Sequence, residues 1–249
     1  MPIEQELRFY FPLSQKEHWL NLITKTFNTS PTTYFLQTFM YDNPNPKFTF
    51  YSKEVDGRFR LRKFENLTDP SKSYAVISWK QRIPEKARKA ANTGASNESI
   101  NTEYELEVNF DINEFDSLKK LIENILQMPY KSGYELYRIK WLVKVEESSD
   151  AKDNQSDSRA QETQAPQNIQ AKSQVEITLN HYPYGLALEL ELVKGTNADA
   201  LFKIAKMLNL DPKNSSNLST DDMYEKLCKE KGITPKNEIM FDDKEMPKL

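Results

Sequence analysis

The stretch IEQELRFYF, residues 3–11, decides the fold because its charged and apolar side chains alternate. In a β-strand successive side chains point to opposite faces, so Glu4, Glu6 and Arg8 share one face, and Leu7 and Phe9 lie on the other. Antiparallel sheets commonly have one apolar face and one wet face, which explains this strand when it is considered alone. The rest of the chain determines whether that explanation is sufficient.

Five later segments repeat the alternation, and each carries charges of nearly one sign. The basic segments contain Arg58, Arg60 and Arg62, then Lys80 and Arg82, then Arg138, Lys140 and Lys144, and the acidic ones contain Glu103, Glu105 and Glu107, then Glu189 and Glu191. Solvated faces normally mix charged and neutral polar residues. The chain order acid, base, base, acid, base, acid therefore favours one shared interior over six separate wet faces.

Charges arranged in this way predict a bound polyphosphate and a metal ion. Neighbouring arginines on one face, such as Arg60 and Arg62, repel each other unless an anion lies between them, and guanidinium groups match phosphate oxygens. Paired carboxylates such as Glu189 and Glu191 supply the hard oxygen ligands that Mg²⁺ or Mn²⁺ prefers.

The periodicity predicts an α+β fold with a largely antiparallel sheet that is closed, or nearly closed, into a β-barrel. Strand patterns cover residues 3–11, 34–41, 46–53, 57–65, 73–83, 102–110, 134–146, 174–182 and 185–194. Amphipathic helix patterns cover residues 14–27, 113–128, 196–210 and 219–232. If the strands close, the charges line a tunnel, and the apolar side chains face outward under the flanking helices.

The composition limits the class of protein and its partners. The formal net charge is only −3, from 34 basic and 37 acidic residues, so no long nucleic acid is expected as a partner. A single cysteine, Cys228, excludes an internal disulfide framework and suits a reducing compartment. Because neither a signal-peptide pattern nor a long apolar run is present, we expect a cytoplasmic protein without a membrane partner.

The 249 residues predict one domain over 1–232, followed by a loose tail over 233–249. Two polar segments, about 85–100 and 146–173, are predicted as flexible loops between neighbouring strands. The first of them carries Lys86, Arg88 and Lys89 and is either a lid over the tunnel mouth or an ordinary solvated loop.

The charged motifs resemble those of the CYTH superfamily, the triphosphate tunnel metalloenzymes that include class IV adenylyl cyclases and thiamine triphosphatases. EQELR, from Glu4 to Arg8, is similar to the family's first-strand Glu-x-Glu-x-Lys motif, with arginine in place of lysine. FRLRK, ISWKQR, EYELE, YRIKW and LALELEL resemble the later strands, in the family's order. Asn180 departs from the pattern, since the family often has an aspartate there, which leaves the number of metals open.

The resemblance implies an eight-stranded tunnel and a role for each charged residue. Lys80 and Glu105 would be catalytic, one of them activating the attacking water. The triphosphate would be bound by Arg8, Arg60, Arg62, Lys80, Arg138 and Lys140. The metal ligands for Mg²⁺ or Mn²⁺ would be Glu4, Glu6, Glu107, Glu189 and Glu191.

The function favoured by these residues is that of a metal-dependent phosphohydrolase acting on a small triphosphate: inorganic triphosphate, thiamine triphosphate or a nucleoside triphosphate. One alternative is a class IV adenylyl cyclase that forms cyclic AMP and pyrophosphate, because the tunnel motifs are shared by both reactions. A second is a non-catalytic polyphosphate-binding module. The chain is expected to act as a monomer or a homodimer.

Overall fold

The computed structural model describes residues 2–83, 100–146, 172–194 and 198–249. In these ranges the strands are β1 (Ile3–Phe11), β2 (Thr32–Tyr41), β3 (Gly57–Asn66), β4 (Tyr74–Arg82), β5 (Asn101–Asp111), β6 (Tyr130–Glu146), β7 (Lys172–Tyr182), β8 (Gly185–Lys194) and β9 (Glu238–Ile239). The helices are α1 (Lys16–Phe27), α2 (Phe115–Lys120, continued by a π-helical turn at Leu121–Ile125), α3 (Asp199–Met207) and α4 (Thr220–Glu230). Among them, none has the length and apolar character needed to cross a membrane.

Eight of the strands form a closed antiparallel barrel. Neighbouring strands follow the order β2-β3-β4-β5-β1-β8-β7-β6, and β6 returns to pair with β2, with Thr32 opposite Lys140. Each barrel strand therefore has a hydrogen-bonded neighbour on both sides, and the sheet has no free edge within the barrel. The predicted α+β class, with a closed barrel and flanking helices, is confirmed.

The register places the charges of neighbouring strands opposite each other. On β1, Glu4 lies opposite Glu103 of β5, and Arg8 lies opposite Glu189 of β8. On β4, Lys80 lies opposite Glu105. These charges share one face of the closed sheet and line the inside of the barrel, where the acidic strands β5, β1 and β8 are neighbours and the basic strands β3 and β4 are neighbours.

The largest core lies outside the barrel, between its wall and the helices. Outward residues of β1, β7 and β8, including Leu7, Ile177 and Leu190, are completely buried. They pack in one cluster with side chains of α1 and α3 such as Ile23 and Ile204. Full burial of each such aliphatic side chain contributes about 2 kcal/mol, so helix packing stabilises the barrel from outside and leaves its interior free for polar groups.

The segment 46–53, predicted as a strand, is instead a 3₁₀ turn at Pro46–Phe48 followed by irregular turns. The Asp42 carboxylate accepts hydrogen bonds from Thr49 Oγ1 at 2.6 Å and from the Phe50 amide at 2.8 Å. Side-chain bonds of this kind give the backbone an alternative to the ladder of a sheet. The apolar alternation of this segment therefore reflects packing of a turn and not a barrel strand.

The segment 233–249, predicted as a loose tail, packs against the barrel. Its short strand β9 runs parallel to β6, with Glu238 opposite Gly133. Ile239 and Met246 are buried, and the Leu249 amide donates to the Tyr184 carbonyl at 2.9 Å. The few apolar residues of this polar segment attach it to the barrel. The overall composition of the segment does not indicate this.

The two predicted loops lie almost entirely outside the described residues, which omit 84–99 and 147–171. The proposed lid residues Lys86, Arg88 and Lys89 are among those omitted. At the edge of the first segment, Ile100 is described and is buried in the core under α1 and α3.

Candidate active site

The barrel encloses a polar cavity of about 490 Å³. Every predicted site residue except Glu6 lines it: Glu4, Arg8, Arg60, Arg62, Lys80, Glu105, Glu107, Arg138, Lys140, Glu189 and Glu191. The six charged strands thus share one interior, as their sign pattern indicated.

Three carboxylates of this cavity have the spacing of metal ligands. One oxygen each from Glu4, Glu105 and Glu191 lies within 4.8 Å of the others. They come from β1, β5 and β8, which are neighbours in the barrel. Burial raises the pKa of Glu4, and burial together with the charge of Glu4 raises that of Glu191. Crowded hard oxygens of this kind suit a divalent cation such as Mg²⁺ or Mn²⁺.

Lys80 adjoins this carboxylate cluster. Its Nζ atom lies 2.5 Å from Oε2 of Glu4 and 3.6 Å from Oε1 of Glu105. Burial alone would lower the pKa of Lys80, but the charges of Glu4 and Glu105 outweigh it and raise the pKa. Lys80 therefore carries its proton at neutral pH and acts as a cation and not as a base.

The arginines of β3 pair with the glutamates of β5 across the intervening strand β4. Arg60 Nη2 donates to Glu105 Oε1 at 3.0 Å, and its Nε donates to Ser78 Oγ at 3.1 Å. Arg62 donates to Glu107. These contacts hold the guanidinium groups in place within the tunnel, where an anionic ligand would compete with the carboxylates for them.

Glu189 accepts hydrogen bonds from Arg8 and Asn180, and Asn180 links it to Arg138. Arg8 Nε donates to Glu189 Oε1 at 2.8 Å, and Asn180 Nδ2 donates to Glu189 Oε2 at 2.8 Å. Asn180 in turn accepts from Arg138 Nε at 2.8 Å. Burial opposes ionisation of Glu189, but Arg8 and Arg138 prevail and lower its pKa. Both oxygens of Glu189 are thus engaged away from the cluster of Glu4, Glu105 and Glu191.

The other two predicted metal ligands also lie apart from that cluster. Glu6 faces a smaller cavity of about 190 Å³ beside the tunnel, where it accepts from Arg8, and burial raises its pKa to about 8. Glu107 is paired with Arg62, as described above. The structure therefore brings Glu4 and Glu191 together and adds Glu105, which the resemblance had assigned to catalysis.

Two charged residues of the cavity were missed at the sequence level. Glu176 of β7 forms an ion pair with Lys140 and lies opposite Glu191 in the register. Its position between Val175 and Ile177 was a detectable period-two signal. Asp221 also lines the cavity, but it comes from the first turn of α4, and no strand pattern could have indicated it.

Comparison with known proteins finds no matching family model and no matching curated protein. Among solved structures, the PH1819 protein from Pyrococcus horikoshii OT3 is 16% identical with a TM-score of 0.52, over 90% of this chain and 98% of that one. A candidate adenylyl cyclase from Hippeastrum, described as having a dominant triphosphatase activity, is 12% identical with a TM-score of 0.48, over 94% and 98%.

A third structure, a candidate adenylate cyclase from Bacillus halodurans, is 12% identical with a TM-score of 0.38, over 88% of this chain and 94% of that one. At these identities the likeness concerns the fold alone. By fold, the chain is similar to the Pyrococcus protein and has the closed eight-stranded antiparallel barrel that the resemblance to the CYTH superfamily implied.

Proposed function

We propose that the protein is a metal-dependent hydrolase of a triphosphate-containing substrate that binds inside the barrel. The observation that carries this proposal is the carboxylate cluster of Glu4, Glu105 and Glu191 in the same barrel cavity as the inward-facing arginines and lysines. A phosphate chain needs cationic groups along its length, and phosphoryl transfer needs added positive charge at the reacting phosphate.

The basic residues would bind the phosphate chain. Arg60, Arg62 and Arg138 are positioned guanidinium groups that match phosphate oxygens in pairs, and Lys80 and Lys140 supply point charges. In the described structure each of them contacts a carboxylate. Substrate phosphates would replace some of these partners, so the cavity keeps the cations oriented before the substrate arrives.

The carboxylate cluster would hold Mg²⁺ or Mn²⁺, which would neutralise phosphate charge and orient the reacting phosphate. Lys80, protonated beside Glu4, would add positive charge close to the same phosphate. Lys80 is therefore not available as a base, and Glu105 is assigned here to the metal and not to proton transfer.

The test is product analysis with purified protein, Mg²⁺ or Mn²⁺, and tripolyphosphate, thiamine triphosphate or ATP. We expect release of inorganic phosphate that stops when EDTA is added. Glu191→Gln and Arg60→Ala should each lower kcat/KM by about 100-fold or more, while the exposed Glu54→Gln should not. Cyclic AMP and pyrophosphate from ATP would indicate a cyclase instead, and binding without turnover would indicate a binding module.

A further inference from the structure

A second cavity, of about 250 Å³, adjoins the tunnel beneath the first turn of α4. The two cavities share four lining residues, Met40, Arg58, Ser219 and Asp221. The second cavity therefore lies next to the tunnel, within reach of a molecule bound along it. Tyr51 lines only the second one.

This cavity contains polar groups that have no partner among the described residues. The Tyr51 hydroxyl and Arg58 Nε are buried without a hydrogen bond. The Asp221 carboxylate lines the same cavity and is partly exposed, and it makes neither a hydrogen bond nor an ion pair within the described part of the chain. Buried polar groups are nearly always paired with protein, water or ligand, so the Tyr51 hydroxyl and Arg58 Nε are positioned to bind a molecule in this cavity, and the Asp221 carboxylate offers an acceptor beside them.

The position of Asp221 in the first turn of α4 offers another explanation, since acidic residues there interact favourably with the helix dipole. However, the neighbouring Asp222 already forms a capping box with Ser219 and binds Arg82. A carboxylate on the outer surface of the helix would serve the dipole equally well without lining the cavity. The placement of Asp221 in the cavity therefore requires a separate reason.

The three groups distinguish between chemical classes of ligand. Phosphate oxygens only accept hydrogen bonds and would meet the Asp221 carboxylate with like charge. A group that donates to Asp221 and also accepts from Tyr51 Oη or Arg58 Nε must carry both donors and acceptors. The hydroxyls of a sugar and the edge of a nucleobase have this property, and Met40 and the Tyr51 ring offer apolar contact to a base.

We propose that this cavity is a nucleoside subsite, with Asp221 and Tyr51 as specificity residues, and that the substrate is a nucleoside triphosphate whose phosphates lie in the tunnel. The inference rests on the proposed triphosphatase function and deepens it. Inorganic triphosphate would fill the tunnel but leave the three polar groups without partners.

The test compares ATP, GTP and CTP with tripolyphosphate, in wild-type protein and in Asp221→Asn and Tyr51→Phe. Both variants should raise KM for at least one nucleoside triphosphate by about tenfold, because each loses a hydrogen bond to the nucleoside. Tripolyphosphate should bind Asp221→Asn as well as wild-type or better, since a like charge is removed. Calorimetric titration in EDTA, which prevents turnover, should show the same difference. The Kd for ATP should rise in both variants, and the Kd for tripolyphosphate should not rise in Asp221→Asn.

Asp116→Asn provides the matched control, because Asp116 is an exposed acid in the first turn of α2. This substitution should change the KM of neither the nucleoside triphosphates nor tripolyphosphate. Equal effects of Asp221→Asn on ATP and tripolyphosphate, or no effect on any nucleoside triphosphate, would overturn the subsite. Absence of turnover of every triphosphate by wild-type protein would instead overturn the proposed function, so the two failures are distinguishable.

Discussion

The Nζ atom of Lys80 lies 2.5 Å from Oε2 of Glu4 inside the barrel, with both side chains almost completely buried. The ammonium group occupies a position directly beside the carboxylates proposed to bind metal. A buried carboxylate requires a nearby positive charge, and Lys80 supplies it in the metal-free protein. The pair would therefore couple the stability of the barrel to the occupancy of the proposed metal site.

Replacement of Lys80 by methionine should destabilise the metal-free protein by about 3 kcal/mol or more, because it leaves Glu4 buried without its counter-charge. Addition of Mn²⁺ should recover part of this loss, so the Mn²⁺-induced rise in Tm should be larger in the variant than in wild-type protein. Differential scanning calorimetry with and without Mn²⁺ measures both effects.

Lys63→Met is the control for that substitution. Lys63 pairs with Glu65, but both side chains are partly exposed, and such surface pairs contribute only about 0–1 kcal/mol. If Lys80→Met were as stable as Lys63→Met, or if Mn²⁺ gave both variants the same rise in Tm, the coupling would be refuted.

The stability contributed by Glu103 should disappear in acid. Burial opposes its ionisation, but Arg58 and Lys80 lower its pKa from the ordinary 4.5 to about 2. Because the folded-state pKa is the lower one, ionised Glu103 stabilises the protein above about pH 4.5, and this stabilisation is lost as pH falls toward 2. A shift of this size corresponds to at most about 3 kcal/mol.

Glu103→Gln should therefore unfold at lower urea concentration than wild-type protein at pH 7, and the difference should shrink steadily between pH 4.5 and pH 2.5. Urea denaturation at a series of pH values measures it. Glu54→Gln, at an exposed position, should match wild-type protein throughout. A pH-independent difference for Glu103→Gln would show that the effect comes from packing and not from charge.

Asn180→Asp should create a second cation site. The Asn180 amide accepts from Arg138 and donates to Glu189, so it satisfies a cation and an anion at once. A carboxylate at this position would lie against Glu189 as a like charge, which a divalent ion would relieve. We expect Mn²⁺ titration calorimetry to give one ion per wild-type chain and two per variant chain.

Asn180→Leu is the comparison variant, since it removes both hydrogen bonds without adding charge. It should bind one ion and lose stability, because Arg138 and Glu189 each lose a buried partner. A stoichiometry of two ions in wild-type protein would contradict the idea that Asn180 keeps Glu189 from binding metal.

Ile239→Ala should destabilise the protein by about 2 kcal/mol, because Ile239 is buried where β9 joins β6. Urea denaturation measures the loss. The same substitution at Ile125, which is 72% exposed, should cost much less. Equal stability of both variants would mean that 233–249 contributes little to the folded barrel.

Much of the barrel could be predicted from sequence because its strands alternate so regularly. The bounds of β1 and β8 match the predicted 3–11 and 185–194, since charged and apolar residues alternate along both. Whether Glu4 faces solvent or a tunnel is not a local property. It was inferred from the order of charge signs over six strands, which only a shared interior explains well.

The composition of the metal cluster could not be predicted in the same way. Glu4 and Glu6 share one face of β1, but they lie two residues apart along the barrel, and only Glu4 reaches the cluster with Glu105 and Glu191. Which residues meet depends on strand register and on the competition of Arg8 for Glu6. Both are set by pairing between distant segments, and no local pattern encodes them.

The pairing of β2 with β6 also has a kinetic consequence. It joins segments far apart in the chain, such as those of Thr32 and Lys140, and it completes the ring only when the other six barrel strands are paired between β2 and β6. Contacts of such long sequence separation slow folding, and until they form β2 and β6 present open edges to other chains. Refolding should therefore be slow and prone to aggregation at high protein concentration, although the finished barrel has no such edge.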